Sequence, residues 1–153
     1  MLKFYSINAD TLAIIPVNTK VSKIIEREKT LLVKKCTTDI IDDSCRYFGS
    51  TYEGRKHATN DILGIKYKSP IIIEETRRII FFPTCSPRYN NCYWISLSAI
   101  KKSEKIGDFC SLQLDNGYEL MLNISNRSFL LQFYKANLLD STIRKRISID
   151  KNV

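Results

Sequence analysis

The chain has 153 residues, 44% of them hydrophobic and 26% charged, and a formal net charge of +8 at pH 7. This length fits one domain with its own core and excludes two ordinary ones, and the composition excludes a disordered chain. No apolar run approaches the ~20 residues of a membrane-spanning helix, and the N-terminus, MLKFYSINAD, lacks the basic, apolar and cleavage regions of a signal peptide, so a cytoplasmic location is expected.

Residues 3–8 and 11–17 read as a strand pair joined at Asn8-Ala9-Asp10. Residues 21–27 and 30–34 form a second hairpin pattern that turns at Glu28-Lys29. Residues 37–44 are polar and acidic, a loop or short helix. A helix is predicted over residues 51–60, although Gly54 inside it costs about 1 kcal/mol relative to alanine. Ser69-Pro70 breaks the chain, and residues 71–73 and 78–82 follow as apolar strands on either side of a charged turn. Residues 84–91, TCSPRYNN, are a turn-rich loop. Residues 93–100 read as a strand carrying Trp94. Residues 109–114 and 118–122 flank Asp115-Asn116-Gly117, and Asn-Gly between alternating runs is a strong hairpin signal. Ser125 or Asn126 caps a closing helix to about Leu139, with Leu130, Phe133, Tyr134 and Leu138 at core-facing spacing. The expected fold class is α+β: one domain, mostly antiparallel β-sheet, with a short mid-chain helix and a C-terminal helix.

The placement of charge is more informative than its total. Residues 46–88 carry eight basic and four acidic side chains, and residues 144–153 carry four and one. The rest of the chain is close to balance. Clustering of this kind suits a polyanionic partner; the bland reading is a solvated basic surface. Within residues 40–56, IIDDSCRYFGSTYEGRK, three cations stand among three aromatic rings and two glycines. Ser50 and Glu53 have capping-box spacing. Arg55 and Lys56 follow Gly54 just inside the predicted helix start, where backbone amides and cations could converge on one phosphate. Tyr47 and Phe48 read as core, and Tyr52 as either core or contact. The candidate nucleic-acid contacts are Arg46, Tyr52, Arg55, Lys56, His57, Lys66, Lys68, Arg77, Arg78 and Arg88.

Enzyme readings find little support. His57 is the only imidazole, and it stands between Lys56 and Ala58 as a surface or phosphate-side residue rather than a catalytic base. Asp42-Asp43 and Glu74-Glu75 are adjacent pairs that, on a strand, diverge to opposite faces instead of sharing a metal. No phosphate-binding glycine loop is present. The five cysteines, Cys36, Cys45, Cys85, Cys92 and Cys110, have no C-x-x-C spacing, so neither zinc nor a disulfide framework is expected; most read as small buried apolar residues. No cofactor is expected. Rival readings are an RNA-binding or protein-interaction module and, in the enzymatic class, a metal-dependent nuclease.

Three segments carry a resemblance: SCRYFGSTYEGRK at residues 44–56, SPIIIEETRRIIFFPTCS at 69–86, and CYWISL at 92–97. They resemble the ComK family of competence transcription factors of low-GC Gram-positive bacteria, with likeness over roughly residues 10 to 140. The resemblance implies a DNA-binding regulator that prefers AT-rich duplex, acts as a homo-oligomer and promotes DNA-uptake genes. It divides the chain into a DNA-binding domain at 1–143 and a basic tail at 144–153. RNA polymerase and a Clp adaptor are the protein partners implied. The adaptor acts through a C-terminal extension of longer members, whereas this sequence ends RKRISIDKNV. The last third, WISLSAIKK then FCSLQLDNGYELMLNIS and a helix, is also similar in pattern to the end of a LytTR-type DNA-binding domain.

Overall fold

Apolar runs without polar alternation, such as residues 71–73 and 79–82, require cover on both faces of a sheet. A computed structural model, which describes residues 1–89 and 92–151, supplies that cover. Strands β1 (Thr11–Pro16), β2 (Ser22–Glu26), β3 (Thr30–Val33), β4 (Ile71–Glu74), β5 (Ile79–Pro83) and β6 (Trp94–Ser96) make an antiparallel sheet in the order β3-β2-β1-β6-β5-β4. Strands β7 (Ile100–Ile106), β8 (Phe109–Leu114) and β9 (Glu119–Ser125) make a second antiparallel sheet in chain order. The helices are α1 (Thr37–Tyr47), α2 (Tyr52–Leu63) and α3 (Asn126–Lys151). The molecule is thus a single mixed α+β domain.

Strand periodicity sorts the large sheet into two cores. On one face Ile14, Ile24, Ile71, Ile73, Ile79, Phe81 and Trp94 meet Ile40, Ile41 and Cys45 of α1. On the other, Leu12, Ile25, Ile72, Ile80, Phe82 and Ile95 meet Leu112, Leu114, Leu120 and Leu122 of the small sheet and Phe129, Ala136 and Leu139 of α3. Helix α2 lies beside edge strand β4 and touches both α1 and α3, tying the two layers together. Gly64, at φ 65°, ends α2 in the left-handed conformation that favours glycine.

Several elements differ from the sequence expectation. Residues 3–8 form no strand; the local pairing is one bridge from Leu2 to Val33. Residues 37–44 belong to a full helix, because Thr37, Ile40, Ile41, Ser44 and Cys45 repeat at helical spacing and all are buried. The strand expected over 93–100 is short β6 followed by a 3-10 turn, Leu97–Ala99. Strand β7 was not expected, since IKKSEKI is mostly charged and six of its seven residues are exposed. Residues 90 and 91 of the expected loop lie outside the described residues.

Helix α3 departs most. It runs past Leu139 to Lys151, with 144–149 exposed, and residues 152 and 153 of the expected tail lie outside the described residues. Its buried face is Phe129, Gln132, Ala136 and Leu139. Phe133 packs partly against the core, but Leu130, Tyr134 and Leu138, expected in the core, are 49%, 62% and 38% exposed. Tyr47 is likewise exposed, at 71%.

Candidate nucleic-acid interface

The start of α2 sets the geometry of the site. Thr51, rather than Ser50, is the cap: its Oγ1 accepts the Gly54 amide at 2.9 Å. A Cβ on Gly54 would stand 3.1 Å from that oxygen, a tight contact to which the Thr51 hydroxyl would have to yield. Asp42 of α1 accepts the Tyr52 amide at 2.9 Å and the Arg46 Nε–H at 2.8 Å. Burial pushes the Asp42 carboxyl up, but these two donors outweigh it and hold the group below its ordinary value. The Tyr52 and Gly54 amides are therefore already engaged, which corrects the expectation of a helix start open to phosphate.

The ten candidate residues separate into two groups. Arg46, Arg55, Arg77 and Arg78 are each paired: with Asp42, with Glu75 at 2.6 Å, with Glu74 at 3.2 Å and with Asp140 at 3.3 Å. The Arg55 side chain is only 16% exposed, and its Nε is buried without a hydrogen-bond partner. Arg78 takes φ 50° at the β4–β5 turn, and Asp140 also accepts Arg144. His57 is exposed and stands 3.7 Å from Glu53 one helical turn away. These residues do not converge on a common point.

Tyr52, Lys56, Lys66, Lys68 and Arg88 do converge. They line a cleft of about 920 Å³ formed between α2, the 66–69 segment, the 86–89 loop and the first half of α3. Lys135 of α3 joins them, so the walls carry five cations and one carboxylate, Glu53. None of these five cations makes an ion pair among the described residues. Burial, and then the nearby charge of Lys68, pull the Lys135 ammonium below its ordinary value. Tyr52 is half-buried with its ring edge-on to Trp94, and burial followed by Glu53 raises its hydroxyl to about 12. Tyr67 and Tyr89, also on the cleft, are 77% and 55% exposed, and the Arg88 guanidinium lies 5.3 Å from the Tyr89 ring centre.

Sequence reasoning missed Lys135, Tyr67 and Tyr89. The last two carried a signal, an aromatic ring next to cations in Lys66-Tyr67-Lys68 and Arg88-Tyr89. Lys135 carried none, because only the docking of α3 brings it beside residues 66–69.

Cys45, Cys92 and Cys110 are buried, and Cys36 and Cys85 are half-buried. Burial drives the Cys45 thiol up to about 12. Cys92 donates to the Cys85 carbonyl at 3.4 Å, and a thiol hydrogen bond between the two lowers Cys85 and raises Cys92. Among the described residues no group of three or more His, Cys, Asp or Glu side chains is placed to hold a metal, and no helix is long and apolar enough to cross a membrane.

Comparison with known proteins bears on the same residues. The chain is 35% identical over 150 residues to the competence transcription factor of Bacillus subtilis (strain 168), an alignment covering 95% of this chain and 78% of that protein. No solved structure gives a significant match. The family model described as "ComK protein" matches residues 2–148, spanning both cores and every wall of the cleft. This chain belongs to the ComK family.

Proposed function

We propose that the protein is a transcription regulator of competence genes that grips duplex DNA through the cationic cleft. One observation carries this reading: five cations from four separate chain segments line one cleft with a single carboxylate and, among the described residues, no ion pair, whereas Arg46, Arg55, Arg77 and Arg78 outside it each pair with a carboxylate. Leaving like charges unpaired is unfavourable in the free protein, and a polyanion relieves it. Lysines dominate the cleft, and they suit phosphate contact as compact point charges. The AT-rich preference implied by the family rests on Arg88, because a guanidinium enters a narrow, strongly negative minor groove at low dehydration cost. Homo-oligomeric binding draws support from the exposed apolar stripe of Leu130, Tyr134 and Leu138 on α3. Contact with RNA polymerase and a cytoplasmic location complete the proposal.

Fluorescence anisotropy with an AT-rich duplex, a GC-rich duplex and a single-stranded RNA tests it. The AT-rich duplex should bind tightest, and affinity should fall steeply with added salt through counterion release. Equal binding to RNA would favour the RNA-binding alternative, to which exposed Tyr67 and Tyr89 are suited as stacking surfaces. A flat salt response would remove the phosphate reading.

A further inference from the structure

Two buried polar residues line the cleft, Ser69 and Gln132, each 2% exposed, and Gln132 is the one that bonds to the cleft's cationic segments. Its amide nitrogen donates to the Lys68 carbonyl at 2.8 Å and to the Pro83 carbonyl at 2.9 Å. Its amide oxygen accepts the Lys135 ammonium at 3.1 Å, and that ammonium also donates to the Tyr67 carbonyl at 3.3 Å. Gln132 thus links the end of β5, the 66–69 segment and the next turn of its own helix. An ammonium has three N–H donors, and two of Lys135's are used, leaving one for a ligand. Lys68 takes φ 52°, a left-handed conformation uncommon for a residue with a side chain, and the Gln132 bond to its carbonyl helps hold it. A leucine would fill the helix position more simply, so the glutamine's value lies in what it fixes.

We propose that Lys68 and Lys135 form a prebuilt seat for one phosphate oxyanion, with Gln132 as the positioning residue. Its chemistry recognises a tetrahedral phosphate; the source we assign is a phosphodiester of the DNA backbone, and in that respect the proposal rests on the reading of the cleft given above. The seat would fix the register of the nucleic acid against α3 while the surrounding lysines add diffuse attraction.

The test measures binding of an AT-rich duplex across a salt series for the full chain and four variants. Lys135→Met should weaken binding about tenfold, the scale of one hydrogen bond to a charged group. The slope of log affinity against log salt should become shallower by about 0.9, one phosphate's worth. Lys135→Arg should restore most of the slope. Gln132→Ala should reproduce the Lys135→Met slope, and the double variant Gln132→Ala with Lys135→Met should lose no more than either alone. Circular dichroism confirms that each variant is folded, and Lys135→Met keeps the test valid if Gln132→Ala is not. An unchanged slope in folded Lys135→Met, with the parent binding normally, overturns the seat and leaves the DNA reading standing. If the parent fails to bind duplex, inorganic phosphate titrated against the free protein decides: saturable shifts of the Lys135 side-chain signals, absent in Lys135→Met, retain a free-phosphate seat, and no shift ends the proposal.

Discussion

Arg55 and Lys56 are sequence neighbours with opposite surroundings. Arg55 is mostly buried and paired with Glu75, whereas Lys56 lines the cleft. The sequence reading put both on one phosphate; under the proposed function the first serves stability and the second contact. Arg55→Ala should therefore lower stability by about 1 kcal/mol, through a modest ion pair and lost packing of its stem, and leave DNA affinity within about twofold. Lys56→Ala should do the reverse, weakening DNA binding several-fold with little change in the thermal midpoint. Denaturant melts and anisotropy on the two single variants distinguish the roles. At this scale the sequence shows where the cations stand along the chain but not which of them are already paired. That depends on partners such as Glu75 and Asp140, which lie 20 and 62 residues from Arg55 and Arg78.

Helix α1 holds the start of α2 through Asp42, whose carboxylate joins the Tyr52 amide and Arg46. Because the folded-state value of Asp42 is depressed, its contribution is present above the unfolded carboxylate value of about 3.9 and disappears as pH falls through the folded value. Asp42→Asn should lower stability at neutral pH and flatten the acid-side loss that begins near the unfolded value of about 3.9 and continues as pH falls through the folded value, read from thermal midpoints along an acid titration. The elements that sequence patterns located were those with local signals: the Asn116-Gly117 hairpin between β8 and β9, and the helix at residues 52–63. Strand β7 escaped because its side chains are charged and its pairing with β8 supplies most of what holds it. Helix α3 was found but rotated. Apolar residues occur around much of its circumference, and only the shape of the two sheets selects Phe129, Gln132, Ala136 and Leu139 as the inward face.

The whole molecule brings segments distant in sequence to one surface. The six-stranded sheet fixes β4 and β5, α3 crosses its far face, and α2 bridges the two layers. The cleft lies where α2 and α3 meet the loops flanking β4 and β5, so its charge exists only in the folded chain. The central claim is that the location of positive charge, rather than its total, governs DNA binding. Two variants with equal charge loss test this most directly: Lys56→Ala, Lys66→Ala, Lys68→Ala against Arg46→Ala, Arg77→Ala, Arg78→Ala. Both are titrated with the same AT-rich duplex across a salt series, after circular dichroism shows that each is folded. The cleft variant should lose about 100-fold or more in affinity, with a salt slope shallower by about 2 to 3. The paired-arginine variant should stay within about threefold of the parent. Equal losses, or a greater loss in the arginine variant, would contradict the account and return the interface to the surface outside the cleft.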